Sequence, residues 1–445
     1  MLLTNACIVT VDAEDRIIPQ GYLQIEGSRI VAVGPMSQAP THLDDDVVDC
    51  AGRFAFPGLI NTHTHSFQAL TRGLGEGLPV WDWFSQAIDM VVGHLTPEDA
   101  RLAAQVTALE SLRSGATCVM DYNYPHPHPM MADSAIEGFL DVGVRTVLGR
   151  GIIDTGDVHA AIVHTCAHEL DDCRRLLTEW HRQHDDMIRI WVAPYTVFST
   201  STQAFTAAHS LAREFDTGIS IHAATPSTLE AAHRLFGSSD VQYEERIGVL
   251  GPDMLLVHCT HPSSEDMTIM ARHGVSVSHN PASNAYLGEG CAPVVELLRR
   301  EINVGLGTDG ASSNNNQDML AVLKLTALLQ KLQHEDPSVV DARATLRMAT
   351  MGGAACLGWA DELGSLEPGK RADLFLVNPW LPNTVSWDDP TVSLVYSATQ
   401  ENISHTIVNG RLVMKNRQIL TVDEGAILRQ AQAAAVDLRT RSGLG

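Results

Sequence analysis

Paired cysteines, basic residues and long apolar runs are all scarce in this chain, and each scarcity removes a class of function. The eight cysteines are scattered singly, with no Cys-x-x-Cys pair. A cysteine zinc cluster is therefore not expected, and the thiols read as free, mostly buried groups of a reducing compartment. No stretch of about 20 apolar residues occurs, so no membrane span is indicated. The opening Met1-Leu2-Leu3-Thr4-Asn5-Ala6-Cys7 carries neither a basic segment nor a cleavage site, so no signal peptide is read and the expected location is cytoplasmic. Lysine and arginine total 30 against 53 aspartates and glutamates, a net charge of −23. That balance argues against nucleic acid and anionic membranes as partners. There is no dinucleotide-binding glycine fingerprint in a strand-to-helix context and no Gly-x-x-x-x-Gly-Lys.

What is present is length and alternation. The 445 residues, 44% of them hydrophobic, exceed one ordinary domain and fit a large barrel plus a smaller unit. Residues 1–54 read as short strands (Ala6 to Val11, Tyr22 to Glu26, Arg29 to Val33) broken by turns. Residues 363–421 repeat that texture, with Asn409-Gly410 as a hairpin signal. The two ends are expected to meet in one discontinuous β-sandwich. Between them, over 55–362, apolar strands alternate with helical stretches such as Pro97 to Arg113, Thr202 to Glu214 and Asp318 to Leu332. This α/β alternation predicts a (β/α)8 barrel with its first strand near residue 57. A helix is expected within 422–445.

Several predicted strands end in potential metal ligands. The first runs Phe56-Pro57-Gly58-Leu59-Ile60-Asn61-Thr62-His63-Thr64-His65, and residues i and i+2 of a strand face the same side. Others end at His222, His258 and Asp309. Side chains at the C-terminal strand ends of a barrel converge on one face. Imidazole and carboxylate there suit Zn2+, with Fe2+, Ni2+ and Mn2+ as alternatives.

The lysines bear on how many ions fit. Lys324, Lys331, Lys370 and Lys415 are the full set, so none is available to the predicted fourth strand, where many barrel hydrolases carry a carboxylated lysine between two metals. One metal is the natural reading, with three histidines and an aspartate as ligands and a place left for water. A divalent ion lowers the pKa of bound water to about 7. Asp309 and His258 are the groups expected to accept and relay its proton. Hydrolysis at an electrophilic carbon follows.

The chain resembles the amidohydrolase superfamily, in its aminohydrolase and triazine-hydrolase branch. The matching stretches are Pro57 to His65, Leu74 to Phe84 with Trp81-Asp82-Trp83, Leu112 to Thr117, His279-Asn280-Pro281-Ala282-Ser283-Asn284, Gly307 to Asn315 and Leu366 to Leu374. The resemblance covers nearly the whole chain. It implies a distorted barrel with a flanking β-sandwich, and a single metal held by His63, His65, His222 and Asp309. It gives His258 a hydrogen bond to the attacking oxygen or the substrate. It also implies a homo-oligomer and a small nitrogen-heterocycle substrate whose exocyclic amino group is replaced by oxygen.

One departure stands out. Deaminases of this branch carry a glutamate three residues after the strand-five histidine, where it shuttles a proton to a ring nitrogen. Here the sequence reads His222-Ala223-Ala224-Thr225-Pro226, and a threonine hydroxyl donates a hydrogen bond but does not cycle a proton near neutral pH. Glu230, Glu289 and Asp121 are the replacements considered. The alternatives are a substrate that needs no ring protonation, or another leaving group, such as halide or alkylamine, or the opening of a cyclic amide. A catalytically inactive barrel scaffold is the non-enzyme alternative. Expected substrate contacts are Trp83 in an apolar segment after the first strand, Thr225, His279 and Asn284 after strand seven, and Ser312 just past Asp309. The Pro125-His126-Pro127-His128-Pro129 stretch is read as an extended, stiff loop and the His164/His168 pair as a solvated helix face.

Overall fold

The computed structural model describes residues 1–40 and 47–444. The sequence-based spans also include 41–46 and 445, which lie outside the described residues.

Eight parallel strands among the described residues close a barrel. They are Leu59–Thr64, Ala116–Asn123, Arg145–Ile152, Ile188–Pro194, Ile219–Ala223, Met254–His258, Ser276–His279 and Val304–Leu306, in that order. Leu306 pairs with Asn61 to complete the ring. The strands are buried along nearly their whole length. That is why their sequences are runs of Val, Ile, Leu and Ala instead of a polar–apolar alternation. Helices on the outside, including Pro97–Arg113, Met131–Val142, Cys166–Glu179 and Thr202–Glu214, bury Leu109, Phe139, Leu176 and Phe205 against strand residues such as Val119, Leu148 and Ile190. Several of these helices are started by hydroxyl caps. Thr96, Ser201, Thr225 and Ser263 each accept a hydrogen bond from the third helical N–H, satisfying a donor the helix itself leaves free.

Both chain ends join one mixed sheet, nine-stranded among the described residues. Its seam lies between Phe54–Pro57 and Leu374–Val377, which pair antiparallel with Phe56 opposite Phe375. Asn409 and Gly410, both at positive φ, turn Ile403–Val408 into Arg411–Lys415, as the Asn-Gly signal predicts.

The Pro57-Gly58 pair lies where the chain leaves this sheet for the barrel, so the first barrel strand begins at Leu59. A Cβ at Gly58 would stand 1.9 Å from Thr117 Oγ1, so only glycine fits that crossing. The C-terminal helix, Glu424–Arg441, lies along Pro97–Arg113, tied by Arg113–Glu424 and Arg441–Asp99 ion pairs. Among the described residues, no helix is long and apolar enough to cross a membrane.

Candidate active site

The barrel geometry brings the five strand-end residues together. His63 lies on strand one with His65 just past its end, His222 is on strand five, His258 ends strand six, and Asp309 follows strand eight. The rings of His63 and His65 are 4.7 Å apart between centroids, His63 and His222 5.0 Å, and His222 and His258 5.6 Å. Possible ligand atoms of His63, His65 and Asp309 lie within 4.8 Å of one another, and so do those of His63, His222 and His258.

Hydrogen bonds fix which nitrogens face inward. His65 Nδ1 is 2.8 Å from the carbonyl of Tyr122, and His222 Nδ1 is 2.9 Å from that of Tyr195. A carbonyl only accepts, so both Nδ1 atoms carry the proton and both Nε2 atoms present lone pairs. His63 is fully buried and neither of its ring nitrogens has a hydrogen-bond partner. Asp309 Oδ1 stands 3.2 Å from His63 Nε2 and 3.4 Å from His65 Nε2. A lone pair of His65 facing a carboxylate oxygen is repulsive unless a cation lies between them. Tetrahedral ligands about 2.0–2.1 Å from zinc stand roughly 3.3 Å from one another. The residues therefore fit one divalent cation.

The protonation states agree with that fit. Burial pushes His63 down to about 3 and lowers His65 and His222 as well, and in His222 the neighbouring imidazoles add to the effect. Burial alone would raise the Asp309 carboxyl. The close approach of His63 Nε2, with His65 and His258 beside it, instead holds it well below the usual carboxylate range. Neutral imidazoles beside an ionised carboxylate are the forms a metal requires. Asp309 Oδ2 accepts from Ser283 Oγ at 2.5 Å and Ser313 Oγ at 2.9 Å, and the Gly310 N–H donates to Oδ1 at 2.8 Å. His258 and Asp309 both sit at positive φ, 76° and 59°, a costly backbone for residues with side chains and one concentrated at functional sites.

A cavity opens above this cluster. Its walls include Trp83, Phe84, Tyr124, Tyr195 and Phe198, and its floor includes His65, His222, His258 and Asp309. Of the expected substrate contacts, Trp83 and Thr225 line it. His279, Asn284 and Ser312 are not among its lining side chains. His279 is fully buried with neither ring nitrogen bonded, Asn284 Oδ1 accepts from His258 Nδ1 at 2.8 Å, and the Ser312 carbonyl accepts from Trp83 Nε1 at 3.3 Å. The segment after strand one is a short helix, Val80–Trp83, running into a π-turn, Phe84–Ile88. His126 bonds the Asn123 carbonyl and His164 the His126 carbonyl.

The three replacement acids separate cleanly. Asp121 accepts from Ser66 N, Ser66 Oγ and Asn123 Nδ2, so it pins the turn after His65. Glu230 is exposed and lines a separate outer cavity that shares Phe84, Tyr124, Tyr195 and Phe198 with the inner one. Glu289 is buried and lines the inner cavity beside Thr225 and Ser227. Sequence reasoning missed Ser283 and Ser313 on Asp309, Ser227, and the cavity-lining Gln68, Tyr124, Tyr195 and Phe198. The one available signal was that each follows a barrel strand within a loop of the same face.

Known proteins share this architecture along its full length. The 5-methylthioadenosine/S-adenosylhomocysteine deaminase of Desulforudis audaxviator is 35% identical over 439 residues, 98% of each chain. An adenosine deaminase from Xanthomonas campestris, solved with bound zinc, superposes with a TM-score of 0.92 at 28% identity, covering 99% of this chain and 98% of that one. Atrazine chlorohydrolase from Arthrobacter aurescens TC1, solved with zinc, gives a TM-score of 0.92 at 28% identity over 98% of this chain and 99% of that one. Residues 54–413 match the amidohydrolase family, and the chain belongs to that family.

Proposed function

We propose that this protein is a metal-dependent deaminase that replaces the exocyclic amino group of a small nitrogen heterocycle, foremost an adenosine derivative, by oxygen. The observation that carries the reading is the convergence of the His63 and His65 Nε2 atoms on Asp309 Oδ1, at 3.2 and 3.4 Å, on the floor of an aromatic-walled cavity. His63, His65, His222 and Asp309 hold the metal in this reading. When bound, the cation supplies an acidified water and positive charge for the developing oxyanion.

The chain's own residues do the rest. Tyr124, Tyr195, Trp83 and Phe198 offer flat faces to a planar ring. Asp309 takes the proton of the attacking water. His258, oriented through Nδ1 by Asn284, directs Nε2 at the new oxygen. Zinc as the resident ion is supported by the zinc-bound structural neighbours. A cytoplasmic homo-oligomer completes the proposal, supported by the unpaired thiols and the family resemblance.

The test is metal analysis of purified protein, followed by ammonia release across purine nucleosides, pyrimidines, pterins and triazines. Ammonia release that chelation abolishes and zinc restores is the expected result. Full activity in metal-free protein overturns the reading. A second reading keeps the site but expels halide or an alkylamine. The threonine at position 225 favours it, as does the likeness to atrazine chlorohydrolase, and chloride release without ammonia would select it.

A further inference from the structure

Position 225 leaves the cavity without the acid expected on strand five, and the structure supplies another from a different loop. Thr225 is committed elsewhere. It caps the helix Pro226–Phe236, and its Oγ1 accepts from the Thr228 N–H at 3.3 Å and lies 2.9 Å from Ser227 Oγ. Ser227 Oγ in turn donates to Glu289 Oε1 at 3.2 Å. A short hydroxyl chain thus runs from the threonine to a carboxyl group. Among the described residues, Asp309 and Glu289 are the two carboxylates that line the inner cavity, and Ser227 is the one protein group bonded to the Glu289 side chain.

The delivery of Glu289 is a built feature. It sits between Gly288 and Gly290, both at positive φ, and its N–H donates to the Asn284 carbonyl at 2.8 Å. A Cβ at Gly290 would stand 2.5 Å from His261 Cε1, so the loop is closely seated. The same segment provides Ser283 to Asp309 and Asn284 to His258. The short helix after strand seven, Pro281–Tyr286, and the loop that follows it therefore set three groups around one cavity.

We infer that Glu289 is the catalytic acid–base of this enzyme, donating a proton to the substrate's ring nitrogen in place of the strand-five glutamate. The inference rests on the deaminase reading. Burial raises the Glu289 carboxyl above its usual range, against the opposing charge of His258 and the Ser227 hydrogen bond, which favours the protonated form the step requires.

The step balances. Water oxygen forms a bond to the ring carbon while Asp309 takes the water proton. The C=N electron pair moves to the ring nitrogen, which receives the Glu289 proton. The Asp309 proton then passes to the amino group, and the C–N bond breaks with its pair leaving on ammonia. The hydroxyl proton returns to Glu289 as the carbonyl forms. One water is consumed, one ammonia is released, and both carboxyls are restored.

The test uses full-length, zinc-loaded protein with adenosine as substrate and inosine as product probe. Wild type, Glu289→Gln, Glu289→Asp and the double variant Glu289→Gln/Thr225→Glu are compared for metal content, inosine affinity by tryptophan fluorescence, and kcat. Glu289→Gln should keep its metal and bind inosine within about 3-fold, yet lose at least about 100-fold in kcat. Glu289→Asp should retain part of the activity. The double variant, which restores an acid at position 225, should recover about 10-fold or more over Glu289→Gln. An active wild type with Glu289→Gln within about 3-fold of it overturns the assignment alone. So does a Glu289→Gln protein that has lost zinc or inosine binding and is not rescued by the double variant, because that marks a structural role. A zinc-loaded wild type that is inert toward adenosine and toward its 5'-substituted derivatives overturns the nucleoside-deaminase reading and this assignment with it.

Discussion

A histidine becomes useful at this site through its other nitrogen. Tyr122 and Tyr195 contribute backbone carbonyls, not their rings, and those carbonyls set the tautomers of His65 and His222. Asn284 does the same for His258, which is held in a strained left-handed backbone so that its ring points into the cavity. Removing an outer partner of this kind typically costs about 10–100-fold in activity or affinity. Asn284→Ala should therefore lower kcat by about that factor with metal content unchanged, since His258 is not in the proposed ligand set. Metal analysis beside steady-state kinetics checks it. A variant that loses its metal would instead make His258 a ligand.

At the scale of elements, the barrel and the outer sheet are joined by a buried ion pair. Arg145, at the start of strand three, donates to both oxygens of Asp373 at 3.0 Å, and Arg145 and Asp373 side chains are 0% and 3% exposed. Arg145 also lies over the Trp359 ring, 5.2 Å from its centroid. Removing one partner leaves a buried charge alone, a loss of about 3–5 kcal/mol, whereas replacing both by apolar residues costs far less. Arg145→Met should lower the urea midpoint markedly, and Arg145→Met/Asp373→Leu should recover most of it. Equal losses in both variants would refute this account. The elements themselves were legible because parallel strands buried on both faces read as apolar runs, and because capping hydroxyls mark helix starts. The Pro57-Gly58 signal fell two residues early because it marks the passage from sheet to barrel, a crossing that only Thr117 explains. The convergence of the histidines on Asp309 was legible because strand ends of a barrel meet by symmetry. Glu289 could be named only as one of three acids, and the partners of Ser283 and Asn284 could not be read, because a short helix and the loop after it have too little period to say which wall each side chain reaches.

For the molecule as a whole, the response to acid is set by histidines far from the active-site cluster as well as by its net charge of −23. His405 lies in the outer sheet, near Arg53 and Lys415, and burial with those charges pushes it down to about 4. His181 is likewise lowered to about 4 by burial and by Arg182 and Arg189, although Asp186 opposes the shift. In the unfolded chain each returns to about 6.5. Between those two values the unfolded state binds more protons, so stability rises with pH across the window. The contribution is complete above about 6.5 and is lost as pH falls toward 4. Allowing for partial solvent screening, roughly 1–2 kcal/mol is at stake for each histidine. Carboxylate protonation acts in the opposite sense on the whole surface by relieving self-repulsion, so the absolute curve mixes the two effects. The difference between proteins does not. His405→Gln keeps a polar side chain beside Ser404 and carries no titrating proton, so its urea midpoint relative to wild type should improve steadily from pH 7 to pH 5. Protein stripped of metal removes metal dissociation from the comparison. A pH-independent gap between the two proteins would mean that His405 titrates alike folded and unfolded.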